Sequence, residues 1–298
     1  MPAPPFADAP VPPPVQTPFR APRSPVKTAL LILGAAMLLA LVWEAPRELE
    51  RWRLAGAVSA RASGDKAGAD AKINQLVERD PKNTSLRLLR ADWRLADGDS
   101  AGAAADMDAA VEAQPSDLAL RIKRAQAYQK TGRYADAVDD WEEVKRRTQG
   151  AGTDLRIMVL NGTAYARALG DIEVEQGLKE IQEVFKLLEA SAQSQRAAEL
   201  DTRGFLHYRA GDYDAALEDL DAAVAGVETM LAAANKVQAR PGTSSVDVER
   251  GRKNLRENVA VIHYHRGLVL EKLERTADAE KDFARVRELG FEPGEKLQ

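Results

Sequence analysis

Residues 118–149 read LALRIKRAQAYQKTGRYADAVDDWEEVKRRTQ, and two earlier stretches repeat their landmarks at a fixed distance. Ala125, Gly132, Ala137, Trp141, Val144 and Gln149 stand 34 residues beyond Ala91, Gly98, Ala103, Met107, Ala110 and Pro115. Another 34 residues back lie Ala57, Gly64, Ala69, Ile73, Leu76 and Pro81. One fixed period of small, turn, small, apolar and terminal positions predicts stacked supersecondary units. The physical reasons are readable inside 118–149. Ala125 and Ala137 are small where two helices cross closely, while Tyr128 and Trp141 fill the space between units. Gly132 ends a first helix, where positive φ is easiest for glycine, and Tyr134 with Ala137 opens a second. Pro81 and Pro115 stop second helices that cannot continue through proline.

These motifs resemble the tetratricopeptide repeat family, in which each 34-residue unit is a pair of antiparallel helices. The resemblance implies an all-α, right-handed α-solenoid over 48–298 with about six helix pairs. The pairs are placed at about 50–81, 84–115, 118–149, 155–190, 197–239 and 246–293. The first is the least typical, with Arg53 and Ala60 at bulky positions. In the fourth, the second helix is expected late, along Leu178, Ile181, Val184, Phe185 and Leu188. The fifth is marked by Arg203-Gly204, Tyr208, Gly211-Asp212-Tyr213, Ala216 and Leu220, and the sixth by Gly267, Ala279, Phe283 and Val286. Between them, helices from Tyr213 to about Ala239 and from about Val246 to Leu273 flank the break at 240–245. At about 1.5 Å per residue, this 213–273 hairpin should project roughly 15–20 Å beyond the stack. Arg250, Arg252, Lys253 and Arg256 make one end of it basic.

Composition agrees with helices. Hydrophobic residues make up 45% of the 298 residues but aromatics only 5%, so Ala and Leu carry the apolar content. The formal charge is −4, with the acidic excess lying after residue 43. A mildly acidic stack lacks the basic surface that phosphate contacts need, so no nucleic-acid partner is expected. There are no cysteines, which excludes disulfides, thiolate metal sites and a cysteine nucleophile.

Ten of the fifteen prolines fall in residues 1–25, so 1–27 is expected to be a disordered, proline-rich tail. Residues 28–43, TALLILGAAMLLALVW, carry no charge and follow Lys27. They read as a retained single-pass transmembrane anchor, with Lys27 snorkelling and Trp43 at the interface. A secretory signal would need small residues after the apolar core, and Val42-Trp43-Glu44-Ala45 is a poor cleavage site. The short basic tail favours a single-pass topology with the helical stack extracytoplasmic.

No catalytic constellation, metal set or cofactor motif emerges, so no enzyme activity is expected. Gly98-Asp99-Ser100-Ala101-Gly102 matches a nucleophile elbow literally, but Gly98 occupies the turn position of Gly64 and Gly132. His263 and His265 lie two apart on a helix and face away from each other. The acidic runs Asp139-Asp140-Glu142-Glu143 and Glu218-Asp219-Asp221 are expected on a solvated outer face. The family's first helices line a concave groove that takes a protein or peptide. Projected onto this chain, the groove positions are Leu88, Asp92, Ile122, Gln126, Gln129, Arg167, Asp201, Phe205, Tyr208, Tyr264 and Leu268. The Lys and Asn carboxylate clamp of one family variant is missing, because Leu88 with Asp92 and Ile122 with Gln126 hold those places. The leading expectation is a membrane-anchored scaffold for a protein partner. Two alternatives are a self-associating envelope or secretion-assembly component organised by the 213–273 hairpin, and a membrane adaptor facing the cytoplasm.

Overall fold

A computed structural model describes residues 49–191, 196–236 and 245–294. The proline-rich tail, the apolar segment 28–43 and the hairpin break at 240–244 lie outside the described residues. Within them the chain forms twelve helices and no strand. They are α1 (49–62), α2 (Lys66–Arg79), α3 (Thr84–Ala96), α4 (Ser100–Ala113), α5 (Leu118–Lys130) and α6 (Tyr134–Arg147). There follow α7 (Thr153–Gly170), α8 (Val174–Ala190), α9 (Ala197–Ala210), α10 (Tyr213–Lys236), α11 (Ser245–Lys272) and α12 (Thr276–Glu288). None of these helices is long and apolar enough to cross a membrane.

The chain divides into two compact units, ending and resuming at Lys72 and Ile73. In the first, Ala57 and Ala69 are fully buried, and Lys72 Nζ donates to the Gly56 carbonyl at 3.3 Å. In the second, each odd-numbered helix from α3 to α11 packs on the even one that follows it. Each even helix from α4 to α10 then packs on the next odd one, which is the nearest-neighbour stacking of a solenoid. The apolar core runs through this alternation. One cluster joins Ala91, Met107, Ala125, Tyr128, Trp141 and Val159, and a larger one joins Ile157, Ile181, Phe205, Leu220 and Val259.

The turns follow from local chemistry. Gly64, Gly98, Gly132 and Gly211 all take positive φ two residues before a second helix begins. In the sixth pair that place is held by Glu274, at φ 59. Asn83, Asp99 and Asp117 cap α3, α4 and α5, each side chain accepting a backbone N–H from the first turn. Asp99 accepts from Gly102, so the apparent nucleophile elbow is a capped helix–turn–helix corner.

The fourth pair departs in its first helix. α7 has 18 residues where α3 and α5 have 13, and α8 opens at Val174 only three residues beyond Asp171. Gly170 ends α7, while Asp171 and Glu173 take the left-handed conformations. α10 and α11 have 24 and 28 residues, against 14 for α4 and α6. The contact that spans most helices is that of Lys130 Nζ on α5, which lies 3.5 Å from Glu257 Oε1 of α11, 127 positions away.

Candidate partner-binding face

The second residue set that repeats along the stack is ionic, and it fixes how each first helix is presented. The seventh residue of α4, α6, α8, α10 and α12 is Asp106, Asp140, Glu180, Asp219 and Asp282, and all five are buried. Four of them receive a two-pronged guanidinium from an arginine 16 residues earlier on the preceding helix. Arg90 meets Asp106 at 2.8 and 2.5 Å, and Arg124 meets Asp140 at 2.7 and 2.7 Å. Arg203 meets Asp219 at 2.7 and 2.5 Å, and Arg266 meets Asp282 at 2.8 and 2.7 Å. Such forked bonds carry geometric specificity as well as energy. In the fourth pair, Arg167 reaches Glu180 at 3.1 Å and also pairs with Glu142 and Glu173. The first pair inverts the pattern, with Lys72 at the seventh place of α2 and Gly56 where the arginine would be.

Several of these arginines also reach back one pair. Arg90 donates to Asn74 at 2.9 Å, Arg124 to Asp108 at 3.4 Å, Arg167 to Glu142 at 2.5 Å and Arg266 to Asp221 at 2.9 Å. Arg203 instead lies 4.0 Å from the Phe185 ring centre. Asp108 gathers further partners, accepting from the Tyr128 hydroxyl and from Arg133 at 3.3 Å. Burial first, then the bond to Asp108, pushes the Tyr128 phenol up to about 12. The expectation that Asp140 and Asp219 lie on a solvated face is therefore corrected. A charged residue on a second helix is buried once an arginine of its own pair can reach it.

The projected groove positions separate into two groups. Leu88, Ile122 and Gln129 are half-buried on α3 and α5, while Asp92 and Gln126 are exposed. Gln129 donates to the Gly162 carbonyl at 3.5 Å, and Met158 of α7, which the projection omitted, is 41% exposed. Tyr208 and Leu268 are half-buried further along the stack. Arg167, Asp201, Phe205 and Tyr264 are buried. Arg167 is engaged by its three carboxylates, and Phe205 stacks on His265 with ring centres 3.9 Å apart. Asp201 Oδ1 accepts from His265 Nδ1 at 2.8 Å, and the opposite ring nitrogen is buried with no partner. With His265 fully buried, this Asp–His pair joins α9 to α11 beyond the reach of solvent. His263 turns to other neighbours, Asp282 and Glu228. Among the described residues no group of His, Cys, Asp and Glu could hold a metal ion.

Sequence comparison finds tetratricopeptide repeats over residues 54–117 and 90–151. No curated protein matches the chain. Among solved structures, a tetratricopeptide repeat protein from Parabacteroides merdae aligns with a TM-score of 0.51 at 13% identity. That alignment covers 81% of this chain and 93% of the other. The apo form of RapI aligns with a TM-score of 0.53 at 8% identity, covering 81% and 97%. At these identities the likeness concerns the fold alone. Residues 54–151 carry tetratricopeptide repeats, and the described helices continue them as an all-helical stack of the same kind.

Proposed function

We propose that this chain is a non-catalytic scaffold that binds a protein partner along the first helices of its second, third and fourth pairs. The observation that carries the reading is the contrast in burial along the first helices. Asp92, Gln126 and Met158 are exposed on α3, α5 and α7 beside the half-buried Leu88 and Ile122, while on α9 and α11 Phe205 and Tyr264 are buried and only Tyr208 and Leu268 stay half-buried. Mixed apolar and amide groups suit a partner helix or an extended peptide. The anchoring part of the proposal rests on sequence: residues 28–43 hold the protein in a membrane by one pass, with the stack extracytoplasmic.

Photo-crosslinkers placed at Gln126 and Met158 should capture the partner, and Gln126→Glu with Ile122→Glu should abolish capture. Capture that survives both changes would sink the proposed face. Protease added outside intact cells should cleave the stack if it is extracytoplasmic. Protection there, with cleavage after lysis, would instead support the cytoplasm-facing adaptor. The hairpin-organised assembly reading draws on the length of α10 and α11 and on Met230, 56% exposed on α10. It predicts that shortening the hairpin tip around 230–255 removes self-association while leaving capture at Gln126 intact.

A further inference from the structure

The carboxylate at the seventh place of a second helix has, in three pairs, a second cation three residues before its arginine. Arg87 reaches Asp106 Oδ1 at 3.3 Å, and Arg121 reaches Asp140 Oδ1 at 3.0 Å. In the sixth pair the same place is His263, whose Nδ1 lies 2.6 Å from Asp282 Oδ1. A permanent cation in two pairs is thus replaced by a titratable one in the third. The replacement sits where the long hairpin is seated. The other nitrogen of His263, Nε2, lies 3.0 Å from Glu228 Oε1 on α10. A second helix of ordinary length, 14 residues like α4, would end before Glu228, so Glu228 lies at the start of the α10 extension.

Both ring nitrogens face carboxylate oxygens, and both must donate for the two bonds to form. The charged groups around the ring come from all three helices. Asp282 on α12 and Glu228 on α10 face the ring directly. Arg266 on α11 joins Asp282 to Asp221 of α10. Arg285 on α12 binds Glu228 at 2.8 and 3.1 Å and Glu288 at 3.1 Å. Four carboxylates therefore meet two guanidiniums, and the imidazolium supplies a third positive charge.

We propose that His263 makes the seat of the long hairpin proton-dependent. Protonated, the ring on α11 holds α10 and α12 at once; on losing a proton it gives up one of its two carboxylates, and the α10 extension or α12 loosens from α11, with Arg285 still joining α12 to Glu228. A neutral ring has one N–H and so can donate to only one of the two carboxylates, which makes the two-sided tie a property of the protonated ring alone. An ordinary imidazole changes charge between about pH 5 and 8. The two carboxylates titrate elsewhere. Arg285, with help from His263, holds Glu228 below the usual carboxylate range against the opposing effect of burial. Burial pushes Asp282 up, but the bonds from Arg266 and His263 outweigh it and hold that group low as well.

The test is amide hydrogen exchange on the full chain at pH 6 and pH 9, corrected for intrinsic rates. Protection in 225–236 or in 276–288 should fall about tenfold or more relative to 118–147, as expected for the loss of one charge-assisted bond. His263→Arg, which restores the cation of Arg87 and Arg121, should flatten that difference. A wild-type protein with no relative change, or a His263→Arg protein that changes as much as wild type, overturns the proposal. Should the variant not fold, nitrogen NMR of the histidine rings in the wild type decides the matter. Two protonated ring nitrogens on His263 at pH 6 support the proposal, and a neutral ring there overturns it.

Discussion

Asp106, Asp140 and Asp219 are nearly equal in burial but unequal in company, which allows a graded prediction. Asp106 accepts four bonds from Arg87, Arg90 and Arg94, Asp140 accepts three from Arg121 and Arg124, and Asp219 accepts two from Arg203 alone. Replacing each by Asn keeps shape but removes the charge and turns one acceptor into a donor aimed at a guanidinium. Breaking a fully buried ion pair costs about 3–5 kcal/mol. Here the arginine side chains keep some contact with water, 14–31% exposed, so part of that cost is recovered. Losses of about 4, 3 and 2 kcal/mol are therefore expected for Asp106→Asn, Asp140→Asn and Asp219→Asn. Repeat arrays can unfold piecewise, so urea unfolding followed by circular dichroism should be paired with local hydrogen exchange. Equal losses at the three sites, a reversed order, or changes under about 0.5 kcal/mol would refute the reasoning from bond count.

Glu274→Gly should stabilise the sixth pair by about 1 kcal/mol, because a left-handed conformation costs an ordinary residue more than glycine's added chain entropy; a lower urea midpoint would contradict this. Gly162→Ala should destabilise by about 2 kcal/mol, since an added Cβ would lie 2.6 Å from the Trp141 ring, which α7 packs against. Calorimetry that finds no loss would mean the ring has room to move. Glu199 is buried on α9, and burial raises its carboxyl above the usual range, against the smaller opposing effects of its own backbone N–H and Arg196. Its proton is thus favoured in the folded state, and stability falls as pH rises through the raised value. Glu199→Gln should therefore stabilise the protein at pH 7 and make no difference well below pH 4, which thermal melts at the two pH values would check.

The 34-residue register made the first three pairs legible, because turn glycines and stopping prolines impose local constraints that any single unit displays. The buried ion pairs were hidden for a different reason. Asp140 stands within a run of four acidic positions, and only its partner on another helix distinguishes it from Asp139, which is exposed. A signal did exist: Arg90 and Arg124, like Asp106 and Asp140, are themselves 34 residues apart. Charges on a period ask for the same attention as small residues on a period. The fourth pair escapes even that search, since Arg167 and Glu180 are 13 residues apart instead of 16. The sealing of Phe205 could not be read from its own helix, because it depends on His265 arriving from α11, beyond an entire long hairpin.

The bond between Lys130 and Glu257 has a mechanical consequence. A helical stack held by adjacent helices and adjacent pairs stretches like a spring, each junction yielding a little. A tether between α5 and α11 limits that extension over the intervening helices, and both of its side chains are largely in water. Such a tether holds with less than about 1 kcal/mol and weakens as salt is added. It adds one weak restraint to the packing that already holds the span from α5 to α11, and it is a restraint that added salt removes.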